Sequence, residues 1–140
     1  LSLDTADLTP TRGERNNNPG NVRSVGGVVW QGQSIVQDDL DFVVFKASQY
    51  GIRAIARILR TYKFQGLTTI SQAIARWAPG SENDTNAYVT DVCDRCGIAA
   101  TDVVDFDAII ALLVKAIIWH ENGRCIYGDD VIHEGIELAL

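Results

Sequence analysis

A chain of 140 residues, 46% of them hydrophobic, has the size of one domain and can bury a core without metal or disulfide staples. Eighteen acids against twelve bases give a net charge of −6, which argues against nucleic acid as a partner, because phosphate binding needs a positive surface. No membrane span is expected, since the most apolar stretch, Ile109 to Trp119, is interrupted by Lys115. The chain opens on Leu1 and contains no methionine, so we read it as a processed product or as one domain of a longer chain or particle.

Residues 1–11 read as an N-terminal arm or linker, with Pro10 disfavouring a regular helix at its end, and residues 12–140 as a single domain. Arg12 to Arg23 spells RGERNNNPGNVR. Three successive asparagines, Pro-Gly and a fourth asparagine compete with helical hydrogen bonding and predict a loop. Its amides offer a dense set of uncharged donors and acceptors. Gly26-Gly27 between Val22/Val25 and Val28-Val29-Trp30 predicts a hairpin, and Phe42 to Phe45 a third short strand, with Asp38, Asp39 and Asp41 on the connection between them.

From Ser48, a plausible N-cap, the period becomes helical, with Ile52, Ile55, Ala56, Leu59 and Tyr62 on one face and Gly66 as the stop. A shorter helix is expected over Thr69 to Trp77, closed by Pro79-Gly80, and another from a cap at Asp84 or Thr85 to Cys96 before Gly97. Asp105 or Asp107 should open a fourth helix that is apolar on nearly every side and therefore central. A last helix is expected over Asp130 to Leu140. The fold class is thus mainly α (α+β): about five helices around a buried one, with one small antiparallel β-hairpin region.

Three cysteines admit three readings: a zinc site of Cys93, Cys96, Cys125 and His120, a disulfide from Cys125 to one of the pair in an oxidising compartment, or three free thiols. Glu121 stands where the apolar helix ends, beside Trp119 and before Asn-Gly. Partial burial near the negative end of a helix dipole suits a carboxyl that must carry a proton, as a glycosidase acid does; a solvated glutamate before a glycine stop is the alternative.

The run RGERNNNPGNVR, the WQGQ at Trp30 to Gln33, the aromatic strand leading into GIRAIA at Gly51, RWAP followed by ENDT from Arg76 to Thr85, and HENG at His120 resemble a family of phage virion-associated and prophage proteins regarded as lysozyme-like peptidoglycan hydrolases. A looser similarity runs to the N-acetylglucosaminidase pattern NLFGIK, W-x-G, F-R-x-Y. In those glucosaminidases the catalytic glutamate ends a hydrophobic helix that precedes the Asn-rich strand. Here the helix ending at Glu121 would occupy that place as in a circular permutation.

The resemblance implies a lysozyme-like catalytic domain cleaving the glycan between N-acetylmuramic acid and N-acetylglucosamine, with no cofactor and no metal, its partner the peptidoglycan glycan strand. It implies action in the periplasm of a target bacterium, reached by virion or by delivery. Glu121, Glu14 and Glu82 are the candidate acids. Glu14 directly precedes the Asn loop but could equally be an exposed glutamate paired with Arg12 or Arg15, and Glu82 could equally cap a helix. Asp38, Asp39 or Asp41 would supply a second carboxylate where the mechanism needs one. Asn17, Asn18, Asn21, Trp30 and Tyr88 are the candidates for gripping N-acetyl sugars by amide hydrogen bonds and ring stacking, while Trp77 and Trp119 are read as core. A lytic transglycosylase, a non-catalytic virion or peptidoglycan-binding module, and a zinc amidase using His120, His133 and the cysteines are the alternatives.

Overall fold

The structure, a computed structural model, describes residues 9–80 and 84–140. Among the described residues the chain is mainly helical: α1 (Arg12–Arg15), α2 (Ser48–Phe64), α3 (Ile70–Trp77), α4 (Thr85–Cys96), α5 (Ile110–Asn122) and α6 (Asp129–Leu138). Residues 1–8 of the expected arm lie outside the described residues. Residues 9–11 lean on the body, where the Thr9 carbonyl accepts from Arg124 at 3.1 Å and Thr11 caps α1.

The first helix is a correction to the loop expected over the whole of Arg12 to Arg23. Thr11 and Glu14 form a capping box, each side chain accepting from the other's backbone amide, and that reciprocal pair is enough to hold one turn. Only from Asn16 onward is the segment irregular.

The core lies between the later helices. Ile52, Ile55, Ala56 and Leu59 of α2, Ile70, Ala73 and Ile74 of α3, Val92 of α4, Leu113, Val114, Ile117 and Ile118 of α5 and Ile132 of α6 are buried in one cluster. Helix α5 packs on α1, α2, α4 and α6. It is the central helix, and Leu112 (46% exposed) and Trp119 (38%) reach solvent on its one open flank.

Capping follows the sequence in places. Thr69 and Gln72 form a capping box for α3, Asp84 accepts from the Ala87 amide at the start of α4, and Gly97 and Gly123 take the left-handed conformation that ends α4 and α5. Ser48 is not a cap: it is the first helical residue after Ala47. Nor do Asp105 and Asp107 cap α5, which starts after Ile109. Both acids bind Lys63 (2.9 and 2.8 Å), and Asp107 also binds Arg60 (3.2 Å), so they staple the α4–α5 connection to α2. The arginine row of α2 is likewise consumed internally. Arg53 donates to the Leu138 carbonyl, and Arg57 and Arg60 to that of Ala139, satisfying carbonyls at the end of α6.

The expected hairpin is also corrected. Gly26-Gly27 does turn, with the Val28 amide donating to the Val25 carbonyl, but its flanks pair elsewhere. Val22 and Ser24 bond to Val43 and Asp41, while Gly32 and Ser34 bond to Lys46 and Val44. Among the described residues the pairing reaches only isolated antiparallel bridges, Arg23 to Phe42 and Gln33 to Phe45. Side chains replace the missing ladder. Asn18, fully buried, donates to the carbonyls of Val22 and Val43 and accepts from the Val22 amide. The WQGQ run is a turn closed by Gln33 on the Trp30 amide, and Gly32 (φ 78°) sits so close to Tyr50 that a Cβ there would come within 2.0 Å of its ring. Val22, Val43, Phe45 and Ala54 form a second small core beneath.

Candidate functional site

The Asn-rich segment and the end of α5 come together, although they are a hundred residues apart in sequence. Asn122 donates to the Pro19 carbonyl (2.8 Å) and to its own helix at Ile118, and accepts from the Thr11 hydroxyl (2.6 Å). Arg124 grips Glu14 with two nitrogens at 2.9 and 2.5 Å. Asn17 and Asn21 hold positive φ values of 51° and 49°, which asparagine tolerates better than most residues. Asn17 spends its amide on the Phe45 carbonyl, and Asn21 turns its own toward α5.

Glu121 lies in the last turn of α5, with each carboxyl oxygen held by an uncharged donor. Asn21 Nδ2 donates to Oε1 at 2.8 Å and the Tyr88 hydroxyl to Oε2 at 2.7 Å. Burial first, then the neighbouring Glu121 carboxylate, push the Tyr88 phenol well above the ordinary tyrosine range, so it stays a donor. Asn21 Oδ1 is buried with no partner among the described residues. Leaving that oxygen unpaired costs free energy, so the amide's orientation toward Glu121 is held against a local penalty, as at functional sites generally.

Glu121 stands where two hollows meet. The larger, about 480 Å³, is walled by Trp30, Phe42, Tyr62 and Trp77, with Asn21 and Arg76 at its edges. The smaller, about 400 Å³, is lined by Asp84, Ala87, Tyr88 and His120. Glu121 is the lining residue the two share. Aromatic walls beside the Asn21 amide and the Glu121 carboxyl suit a ligand with apolar faces and polar edges.

The other expected acids are placed differently. Glu14 has a side chain only 3% exposed against Arg124. The Arg124 guanidinium, with help from the Thr11 amide, holds its carboxyl below the ordinary glutamate range despite burial. A carboxylate so paired anchors well and gives up a proton poorly, and it is neither the exposed loop glutamate nor the Arg12 or Arg15 partner considered above. Glu82 lies outside the described residues. Asp39 accepts from Arg12, Asn16 and the amides of Asp41 and Phe42, and the Arg12 bond chiefly holds it far below the usual aspartate range. None of Asp38, Asp39 and Asp41 lines either hollow.

Among the sugar-gripping candidates, Trp30 and Asn21 border the larger hollow. Asn17 and Asn18 are structural pins of the segment. Tyr88 is 1% exposed and cannot offer a stacking face; it positions Glu121 instead. Trp77, read as core, is a wall of the hollow, and Trp119 lies exposed under the Arg95 guanidinium, 4.7 Å from its ring centre. Thr11, Asp91, Asn122 and Arg124 were not singled out from sequence. The T-x-x-E capping box was the one local signal available, pointing to Thr11 with Glu14.

All three cysteines are free thiols. Burial pushes Cys96 up to about 11 and raises Cys93. His120 and His133 stand on α5 and α6, and among the described residues no group of three His, Cys, Asp or Glu side chains is arranged to hold a metal ion. No helix among them is long and apolar enough to cross a membrane.

No family model matches the chain. It is similar to Protein P5 of Pseudoalteromonas phage PM2, with 43% identity over 129 residues that make up 90% of this chain and 80% of that protein.

Proposed function

The chain belongs to the family of Protein P5 of Pseudoalteromonas phage PM2, and on that footing we propose that it is a lysozyme-like peptidoglycan hydrolase domain in which Glu121 is the general acid. The observation that carries this reading is the placement of Glu121 at the junction of two hollows, its carboxyl held by Asn21 and Tyr88. The glycan strand lies through both hollows, sugar rings against Trp30 and Trp77. Glu121 protonates the bridging oxygen between N-acetylmuramic acid and N-acetylglucosamine, and the C1–O bond breaks with its electron pair going to that oxygen. The helix-then-Asn-loop order is that of a permuted glucosaminidase arrangement: α5 supplies the acid and residues 16–21 the amide beside it. A phage relative fits a virion-associated enzyme that opens the periplasmic wall of a target cell.

One observation favours a second reading. Asp38, Asp39 and Asp41 stay out of the cleft, and a lytic transglycosylase needs only one acid, because the substrate's acetamido group assists departure and its own 6-hydroxyl closes on C1. Mass spectrometry of products from purified sacculi separates the two, since hydrolysis leaves reducing ends and transglycosylation leaves 1,6-anhydro ends. A Glu121→Gln variant that still cleaves at the wild-type rate overturns both. No cleavage by the wild-type chain points to a binding or structural virion module.

A further inference from the structure

We propose that His120, oriented by Asp91, is the general base that activates the attacking water in the smaller hollow it shares with Glu121. The inference rests on the glycosidase reading above and supplies the second catalytic group that the hairpin aspartates do not.

His120 Nδ1 lies 2.8 Å from Asp91 Oδ2, with both side chains about 30% exposed. A carboxylate only accepts, so Nδ1 carries a proton and donates; the neutral ring in that tautomer presents the Nε2 lone pair. The other Asp91 oxygen accepts from Arg95 Nε at 2.9 Å, so the aspartate is held from two sides and aims the ring. The imidazole packs on the Tyr88 ring with centroids 3.7 Å apart, and it lines the smaller hollow together with Glu121. Tyr88 therefore touches both groups, its face against His120 and its hydroxyl on Glu121. The two groups follow one another on α5 and reach different parts of the same tyrosine. Inverting glycosidases pair their acid with a separate base that holds the attacking water, and His120 is the basic side chain that shares the smaller hollow with Glu121.

The step balances. The water oxygen forms a bond to C1 as its proton passes to His120 Nε2. The C1–O bond breaks, and the leaving oxygen takes the proton of Glu121. Return of the His120 proton through solvent to Glu121 resets the pair. Asp91 touches neither substrate nor water and is a positioning residue.

The test uses the whole chain on purified sacculi, with melting temperature measured for every variant. His120→Ala and His120→Gln are expected to lose hydrolysis by about 10²-fold or more, and added imidazole to restore part of the loss in His120→Ala but not in His120→Gln. Asp91→Asn is expected to lower kcat about tenfold with KM within twofold. Wild-type hydrolysis by the His120 variants while Glu121→Gln is inactive overturns the base and leaves the acid standing. Loss without imidazole rescue in a folded His120→Ala, or wild-type products that are all 1,6-anhydro, also overturns the base. Should His120→Ala not fold, the product and kcat results for His120→Gln and Asp91→Asn decide, wild-type kcat in both overturning it. Full activity of Glu121→Gln, or no cleavage by the wild type, overturns the underlying reading as well.

Discussion

Asn21 donates to Glu121 across 2.8 Å of space and one hundred residues of chain. The contact joins the Asn-rich segment to the end of α5, and with Tyr88 it holds the carboxyl by two uncharged donors. That distinguishes Glu121 from Glu14, whose partner is a guanidinium.

The two glutamates should separate by measurement. Glu121→Gln keeps the amide-sized shape and removes the proton, so turnover on sacculi should fall by about 10²–10⁴ with melting temperature little changed. Glu14→Gln should do the reverse: activity per folded molecule is retained and stability falls by on the order of 3 kcal/mol, because the charge pairing with Arg124 is lost in a nearly buried site. Denaturant titration and initial rates on both variants check this.

Glu14 also predicts a pH dependence. Its folded-state pKa lies below the ordinary glutamate value, so its contribution is fully present above the unfolded value of about 4.3 and is lost as pH falls through the lower folded value. The wild-type advantage over Glu14→Gln in melting temperature should therefore be widest near neutrality and shrink below about pH 4. An advantage that grows on acidification contradicts the ion-pair assignment.

The asparagines should divide by role. Asn18→Ala strands the Val22 amide and two carbonyls and should cost roughly 3 kcal/mol, with chitooligosaccharide affinity unchanged in the molecules that fold. Trp30→Ala, on the wall of the larger hollow, should weaken that affinity about tenfold at near-constant stability, as loss of a stacking surface worth on the order of 1–2 kcal/mol would. Calorimetric titration of each variant beside its melting curve distinguishes pin from platform.

Gly51 is where the Asn segment rests on α2. A Cβ there would lie 2.0 Å from the Asn17 carbonyl oxygen and 2.9 Å from the Pro19 ring, atoms with nowhere to go without shifting the whole turn. Gly51→Ala should therefore displace residues 17–21, lower the melting temperature by several degrees, and reduce kcat more than the stability loss explains. Gly66→Ala, where the added methyl meets nothing but φ is 90°, should lower the melting temperature through backbone strain and leave kcat per folded molecule unchanged.

What the sequence made legible was periodic. The α2 face, the Asp84 cap, the glycine stops after α4 and α5 and the placing of Glu121 at a helix end all follow from local pattern, because helices are organised over a few residues. The pairing of Val22 with Val43 rather than across Gly26-Gly27 was not legible, since bridges depend on which segments meet and Asn18 decides that from outside the strand. Nor could composition reveal that Asp39, Asp105 and Asp107 are committed to arginine and lysine, or that Tyr88 is buried under its own acid. Those are long-range choices of partner, and charge or aromatic type names only the candidates.

The meeting of residues 11–21 with the end of α5 has a consequence for time as well as for shape. Contacts this distant in sequence form late, because the intervening chain must be gathered first. They also join the α-helical core only through side chains and one short turn, so they are placed to open before it does. A molecule in which that seam has parted keeps its helices and its signal in circular dichroism, yet Glu121 has lost Asn21 and the larger hollow has lost a wall. On the proposed reading, activity on walls reports the completion of folding rather than helix content, and a nascent or nicked chain is expected to stay inactive until that seam closes.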